Sequence, residues 1–178
     1  MRKSNTAAAL AIVAGLAGCS SQAIEDYAGE TPRLDLREYL DGPLTASGVF
    51  FDHAGRADLR FVVDMEGSWD GDTGTLAERF RYSDGRTDER VWTIRFEGDE
   101  RFTATAHDVV GYAKGAQRGN AAMMEYRLRI PRDGDEIVVS MEDWLYLQED
   151  GTLINRTKMR KFGLTVGELV VAFRKQPE

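Results

Sequence analysis

The chain has 178 residues, 30% of them charged, and its 23 Lys and Arg against 30 Asp and Glu leave a net charge of −7. That balance argues against nucleic acid, whose binding depends on neutralising phosphates with Lys and Arg, and against electrostatic adhesion to anionic lipid. Cys19 is the single cysteine, which rules out a disulfide within the chain.

The N-terminus reads as a secretory signal. Arg2 and Lys3 precede an uncharged apolar run from Ala7 to Leu16, too short to span a bilayer, and Ala17 and Gly18 bring small residues up to Cys19. This end resembles a bacterial lipoprotein leader, which implies that residues 1–18 are removed and that Cys19 becomes the acylated first residue, a site for palmitate. Loss of the leader takes Arg2 and Lys3 and no acid, so 160 residues with a net charge of −9 remain, a size suited to one domain. Ser20 after the cysteine, by resemblance to Gram-negative lipoproteins, implies the periplasmic face of the outer membrane.

Residues 19–34 are predicted to be a lipidated flexible tether. The stretch from Ser20 to Arg33 is polar, holds Gly29 and Pro32 and has no helical or strand period. As a random coil it would reach roughly 20 Å. The domain proper is predicted over 35–178. It begins with a short helical turn: Asp35 suits an N-cap, Gly42 a left-handed exit, and Pro43 prevents continuation. Leu36, Tyr39 and Leu40 would share the face that plugs the base of the domain.

From Thr45 onward apolar and polar residues alternate in short runs, clearest in 59–65, 78–82, 91–96 and 124–130. Turn residues break them at His53-Ala-Gly55, Ser83-Asp-Gly85, Glu97-Gly-Asp99, Arg132-Asp-Gly-Asp135 and Glu149-Asp-Gly151. The pattern predicts about nine antiparallel strands in a meander, and closure would remove both edges. The fold class expected is all-β, an antiparallel up-and-down barrel of 8–10 strands, with an open sheet or sandwich as the alternative. Val110 to Gly119, with glycines at 111, 115 and 119 and few strand formers, is read as a loop, either an inert one or a mobile flap at the mouth.

Motifs for familiar chemistry are missing. Asp70-Gly-Asp72-Thr-Gly74 has its glycines and Glu78 at the wrong offsets for a calcium loop and is read as a hairpin turn. His53 and His107 have no second ligand at metal spacing, so no metal or other cofactor is expected. There is no G-x-S-x-G elbow, and His107 and Asp108, adjacent on a predicted strand, would point to opposite faces.

Strand parity is more informative. Glu78 falls in line with Leu76, Phe80 and Tyr82, Arg90 with Trp92, Ile94 and Phe96, and Asp108 with Phe102, Ala104, Ala106 and Val110. Asp143 follows Ile137, Val139, Met141 and Leu145, while Asn155 and Lys161 follow Leu153 and Met159. Arg156, Lys158 and Arg160 make a solvated basic row. Charges brought inside a barrel must neutralise one another. The cluster is open to three readings: a structural network closing one end, a site for a ligand headgroup, or a pair of carboxylates for acid–base catalysis.

The order of short patterns resembles a known family. It runs Gly48-Val-Phe50, Glu78-Arg-Phe80-x-Tyr82-x-Asp84-Gly85, Arg90-Val-Trp92 and Ala106-His-Asp108-Val109-x-Gly111-x-Ala113-x-Gly115. It continues through Gly119-Asn120-Ala121, Asp143-Trp144-Leu145-Tyr146, Leu153-x-Asn155-Arg156, Met159-x-Lys161-Phe162-Gly163 and Val166-Gly167-Glu168. This set is similar to the proteobacterial lipoproteins grouped as domain-of-unknown-function family 3833, from about Asp35 to Lys175. The resemblance implies a link to membrane-lipid modification or envelope stress. It also marks Glu78, Arg90, Asp108, Asn120, Asp143, Asn155, Arg156 and Lys161 as shared polar positions. Gly48-x-Phe50 after a helical turn loosely resembles the Gly-x-Trp of lipocalins, which implies a calycin-like barrel.

The function expected is an outer-membrane-anchored lipoprotein that binds or presents a lipid-like ligand in membrane-lipid homeostasis. Attachment is through acyl chains, and the protein partner is not specified. A solid barrel serving as an envelope scaffold is the alternative. An enzyme acting on a lipid or envelope metabolite through Asp108, Asp143 or Glu78 is the third reading, and no catalytic residue is assigned.

Overall fold

The computed structural model describes residues 22–132 and 134–176, so the leader and Cys19 lie outside the described residues. The sequence alternation becomes ten antiparallel strands: β1 (Gly42–Asp52), β2 (Ala57–Asp70), β3 (Thr73–Tyr82), β4 (Thr87–Glu97), β5 (Arg101–Thr105), β6 (Ala113–Arg118), β7 (Ala121–Arg132), β8 (Asp135–Leu147), β9 (Leu153–Lys161) and β10 (Leu164–Lys175). Each pairs with its sequence neighbour, and β1 pairs with β10, from Leu44 opposite Lys175 to Asp52 opposite Gly167, which closes the barrel. It is an all-β, up-and-down barrel with a short N-terminal helical turn, as the alternation predicts. Among the described residues no helix is long and apolar enough to cross a membrane.

The base is plugged as expected. The helical turn α1 (Leu36–Tyr39) is capped by Asp35, whose side chain accepts from the Arg37 amide, and Gly42 leaves it at φ +75°. Leu34, Leu36, Tyr39 and Leu40 are all buried there. The Tyr39 hydroxyl donates at 2.9–3.0 Å to the carbonyls of Gly151 and Phe173, tying the plug to the base of the wall. At the opposite end the turns after β1, β3, β5, β7 and β9 surround an open mouth. The last of these is Phe162-Gly163, with both residues at positive φ and Phe162 94% exposed.

Two expectations are corrected. Residues 110–119 are not a loop or flap: Ala113–Arg118 form β6 between β5 and β7. Strand-forming side chains are scarce here because the Phe102 ring of β5 fills the space over Gly115. A Cβ on Gly115 would lie 2.2 Å from the Phe102 ring, and Ala104 and Ala113 are buried beside it. The irregular connection is instead Ala106–Tyr112, so His107 and Asp108 sit on a turn and not on a strand.

The second concerns the predicted tether. Its described part, from Gln22 to Arg33, packs on the barrel. A 3-10 turn at Ile24–Tyr27 lays the Tyr27 ring 5.8 Å from Trp144 and 5.5 Å from Tyr146 on the outer face of β8. The Leu34 amide donates to Gly119 O at 2.7 Å. One aromatic ring and one leucine hold a stretch that has no period to reveal it.

This docking yields a prediction. Gly119 has φ +51°, and a Cβ there would stand 1.8 Å from the Tyr27 carbonyl oxygen. Gly119→Ala should therefore lift the segment from the β6–β7 turn at a cost of about 1–3 kcal/mol. Hydrogen exchange is the measurement: the Glu30 amide, which donates to Tyr27 O at 2.9 Å, should lose protection while β3 and β4 keep theirs. Unchanged protection at Glu30 would refute the docking.

Candidate ligand-binding site

A ten-stranded barrel is wider than an eight-stranded one, whose interior side chains nearly fill. The extra width appears as a cavity of about 610 Å³, reaching from Leu36 and Leu40 at the plug to Arg86, Pro131 and Val166 at the mouth. That volume lies within the about 300–1,000 Å³ usual for small-molecule sites. The interior is not filled by side chains, which is compatible with a ligand-binding role. Its walls are mainly apolar, and a belt of polar groups crosses them midway.

The strand register assembles this belt. Glu78 on β3 stands directly opposite Arg90 on β4. On the far wall Asp143 of β8 lies between Met124 of β7 and Thr157 of β9, with Tyr126 and Asn155 beside it. Asp108 arrives from the β5–β6 connection. Its backbone is fixed by Arg129, whose amide donates to Asp108 O at 2.8 Å and whose guanidinium donates to Val109 O at 3.3 Å.

Charge is unevenly matched within the belt. Arg90 donates two hydrogen bonds, at 3.0 and 2.6 Å, to the same oxygen of Asp108, and its nearest approach to Glu78 is 3.8 Å. The guanidinium also lies 5.6 Å from the ring centres of Phe80 and Trp92. Asp143 accepts one bond from the Tyr126 hydroxyl at 3.2 Å. Asn155 is satisfied locally, accepting from the Thr157 hydroxyl at 2.9 Å and donating to Trp144 O. Glu78 Oε2, Asp108 Oδ1 and Asp143 Oδ1 are buried with no hydrogen-bond partner among the described residues.

Burial dominates the titration of two of these groups. It pushes Glu78 up to about 7 against the pull of Arg90, and the nearby charges of Asp108 and Asp143 add to the rise. Burial likewise pushes Asp143 up to about 6, against the hydrogen bond from Tyr126. Among the described residues no group of His, Cys, Asp and Glu is placed to hold a metal ion.

Of the eight polar positions singled out in the sequence, Glu78, Arg90, Asp108, Asp143 and Asn155 line the cavity. The other three do not. Asn120 sits on the β6–β7 turn, where its side chain donates to Leu147 O at 3.4 Å and clamps the base. Arg156 faces outward and pairs with Glu168 on β10. Lys161 follows the inward parity but stands at the last residue of β9, on the rim, with its ammonium 5.4 Å from the Phe162 ring centre. Tyr126 and Thr157 were missed. Both occupy inward positions of stripes already recognised, with Met124 and Leu128 and with Asn155 and Met159, but neither carries a formal charge to draw notice. Arg86, Asp88 and Arg129 at the mouth were also missed.

The family model described as "Protein of unknown function (DUF3833)" matches residues 13–175. The chain belongs to the DUF3833 family. No curated protein matches it. Among solved structures, a de novo designed fluorescence-activating β-barrel is similar at 17% identity with a TM-score of 0.38, covering 80% of this chain and 99% of the design. At that TM-score the likeness carries no argument about the DUF3833 barrel, whose cavity and belt stand on their own geometry.

Proposed function

We propose that this DUF3833 chain is a lipid-anchored envelope protein that carries a lipid-like amphiphile inside its barrel and serves membrane-lipid homeostasis. The observation that carries this reading is the cavity of about 610 Å³, apolar on most of its wall, plugged at one end and open at the other. Acyl-chain anchoring at Cys19 would keep that cavity beside its source of ligand. Gln22 accepts hydrogen bonds from the hydroxyls of Tyr27 and Tyr146, so at most about 10 Å of extended backbone separates the anchor from the outer face of β8. The anchor would hold the domain close to the membrane, at half the reach of a free tether.

Two measurements test the reading. Protein purified from its own membranes and extracted with organic solvent should yield a stoichiometric amphiphile. Cys19→Ala should abolish palmitate incorporation and move the protein out of the membrane fraction. An extract empty of lipid would refute the carrier role, and palmitate retained in Cys19→Ala would refute the anchor.

A further inference from the structure

The belt has more acceptors than donors. Three carboxylates, Glu78, Asp108 and Asp143, face one guanidinium, and both cavity-directed hydrogen bonds of Arg90 go to a single oxygen of Asp108. Glu78 is 9% exposed and Asp143 8%, and each, like Asp108, leaves one buried oxygen without a donor. An unpartnered buried carboxylate oxygen is costly, and a protein with three of them around one cavity leaves room for a donor from outside. An anionic head, phosphate or carboxylate, would meet the same three oxygens and be repelled. A cationic head would be received by them.

We infer that the amphiphile carried in the barrel bears an ammonium headgroup, held at mid-depth by Glu78, Asp108 and Asp143, with its apolar portion extending toward the mouth along Phe50, Leu59, Ile130, Ile137 and Val166. This rests on the carrier reading and narrows its ligand class. Entry of the cation gives each orphaned oxygen a partner and brings the belt toward neutrality. The groups facing Glu78 and Asp143 from the packed elements are Arg90 of β4, Asp108 of the β5–β6 connection and Tyr126 of β7. Asn155 and Thr157 of β9 are neutral. Binding of an alkylammonium cation therefore favours the ionised forms of Glu78 and Asp143 and releases protons near neutral pH. Arg86 and Arg129 line the mouth, the first paired with Asp84 and the second bonded to the Val109 carbonyl, and preferential binding of an anionic head is the opposite outcome.

The experiment uses the full chain in detergent-free buffer with three probes of equal chain length: dodecylammonium, dodecanoate and dodecanol. Trp92 lines the cavity and its fluorescence reports occupancy. At about pH 8 the ammonium probe should bind at least about tenfold more tightly than dodecanoate, and the preference should shrink below about pH 6 as the carboxylates protonate. Glu78→Gln with Asp143→Asn should reduce the preference at about pH 8 to less than about twofold, and a circular dichroism spectrum matching the parent shows that the variant is folded. Dodecanoate binding as tightly as the ammonium probe would overturn the headgroup assignment and leave the carrier role standing. Failure of all three, dodecanol included, would overturn both.

Discussion

Gly67→Ala is expected to destabilise the protein by about 3 kcal/mol or more, the largest effect of any single methyl group added to the barrel. Gly67 lies on β2 with inward parity, opposite Gly42 and Leu76. A Cβ at this position would stand 1.7 Å from the carbonyl oxygen of Leu40 and 2.8 Å from its carbonyl carbon. Backbone cannot rotate aside as a side chain can, so the end of α1 must move. Leu34, Leu36, Tyr39 and Leu40 would move with it, and the two hydrogen bonds of the Tyr39 hydroxyl would stretch. Urea unfolding measures the loss. Gly29→Ala is the control, since a Cβ there meets nothing within 4 Å, and it should stay within about 0.5 kcal/mol of the parent. A Gly67→Ala protein as stable as the control would show that the plug is not seated against β2.

How far the sequence reveals this arrangement depends on what each residue signals. Alternation and Asp-Gly or Gly-Asp turns are local, so most of the strands, the meander and the Asp35-capped plug are legible from residue order. Parity placed Glu78, Arg90, Asp143 and Asn155 correctly because each sits on a regular strand with apolar neighbours two residues away. Asp108 reaches the cavity by a different route from the one parity gave: β5 ends at Thr105, and a turn held by Arg129 delivers the carboxylate. Lys161 fails for a geometric reason, since parity gives the face of a strand but not its depth, and β9 ends there. β6 was illegible because Ala113 and Gly115 are small to suit Phe102, a residue on another strand. The docked segment at Gln22–Arg33 was hidden similarly, since Tyr27 has its partners at Trp144 and Tyr146 on β8. What remains beyond the sequence in each case is a fit between two distant segments.

The belt should make stability fall as pH rises, the reverse of ordinary acid denaturation. Glu78 and Asp143 have folded values of about 7 and about 6, above the 4.5 and 3.8 of the unfolded chain. Between about pH 4 and 7 the folded state thus binds more protons than the unfolded one, and by linkage its stability decreases as pH increases through that window. Above about pH 7 the penalty is fully present. Carboxylates held low, Asp35 by Arg37 despite partial burial and Glu142 by Arg160 likewise, act in the other direction, but their contribution is lost only as pH falls below the usual carboxylate range. Stability should therefore peak near pH 4. Glu78→Gln and Asp143→Asn remove the charges that burial disfavours, so each should stabilise the ligand-free protein at about pH 8, by on the order of 2–3 kcal/mol, and change it far less at about pH 4. Urea titrations at the two pH values measure this directly. A parent protein more stable at pH 8 than at pH 4, with amide variants that show no gain at pH 8, would mean that the carboxylates are already neutralised within the fold. A gain at pH 8 would mean that the barrel maintains two ionisable groups at a cost to its own stability, and a cationic ligand is the molecule that would offset that cost.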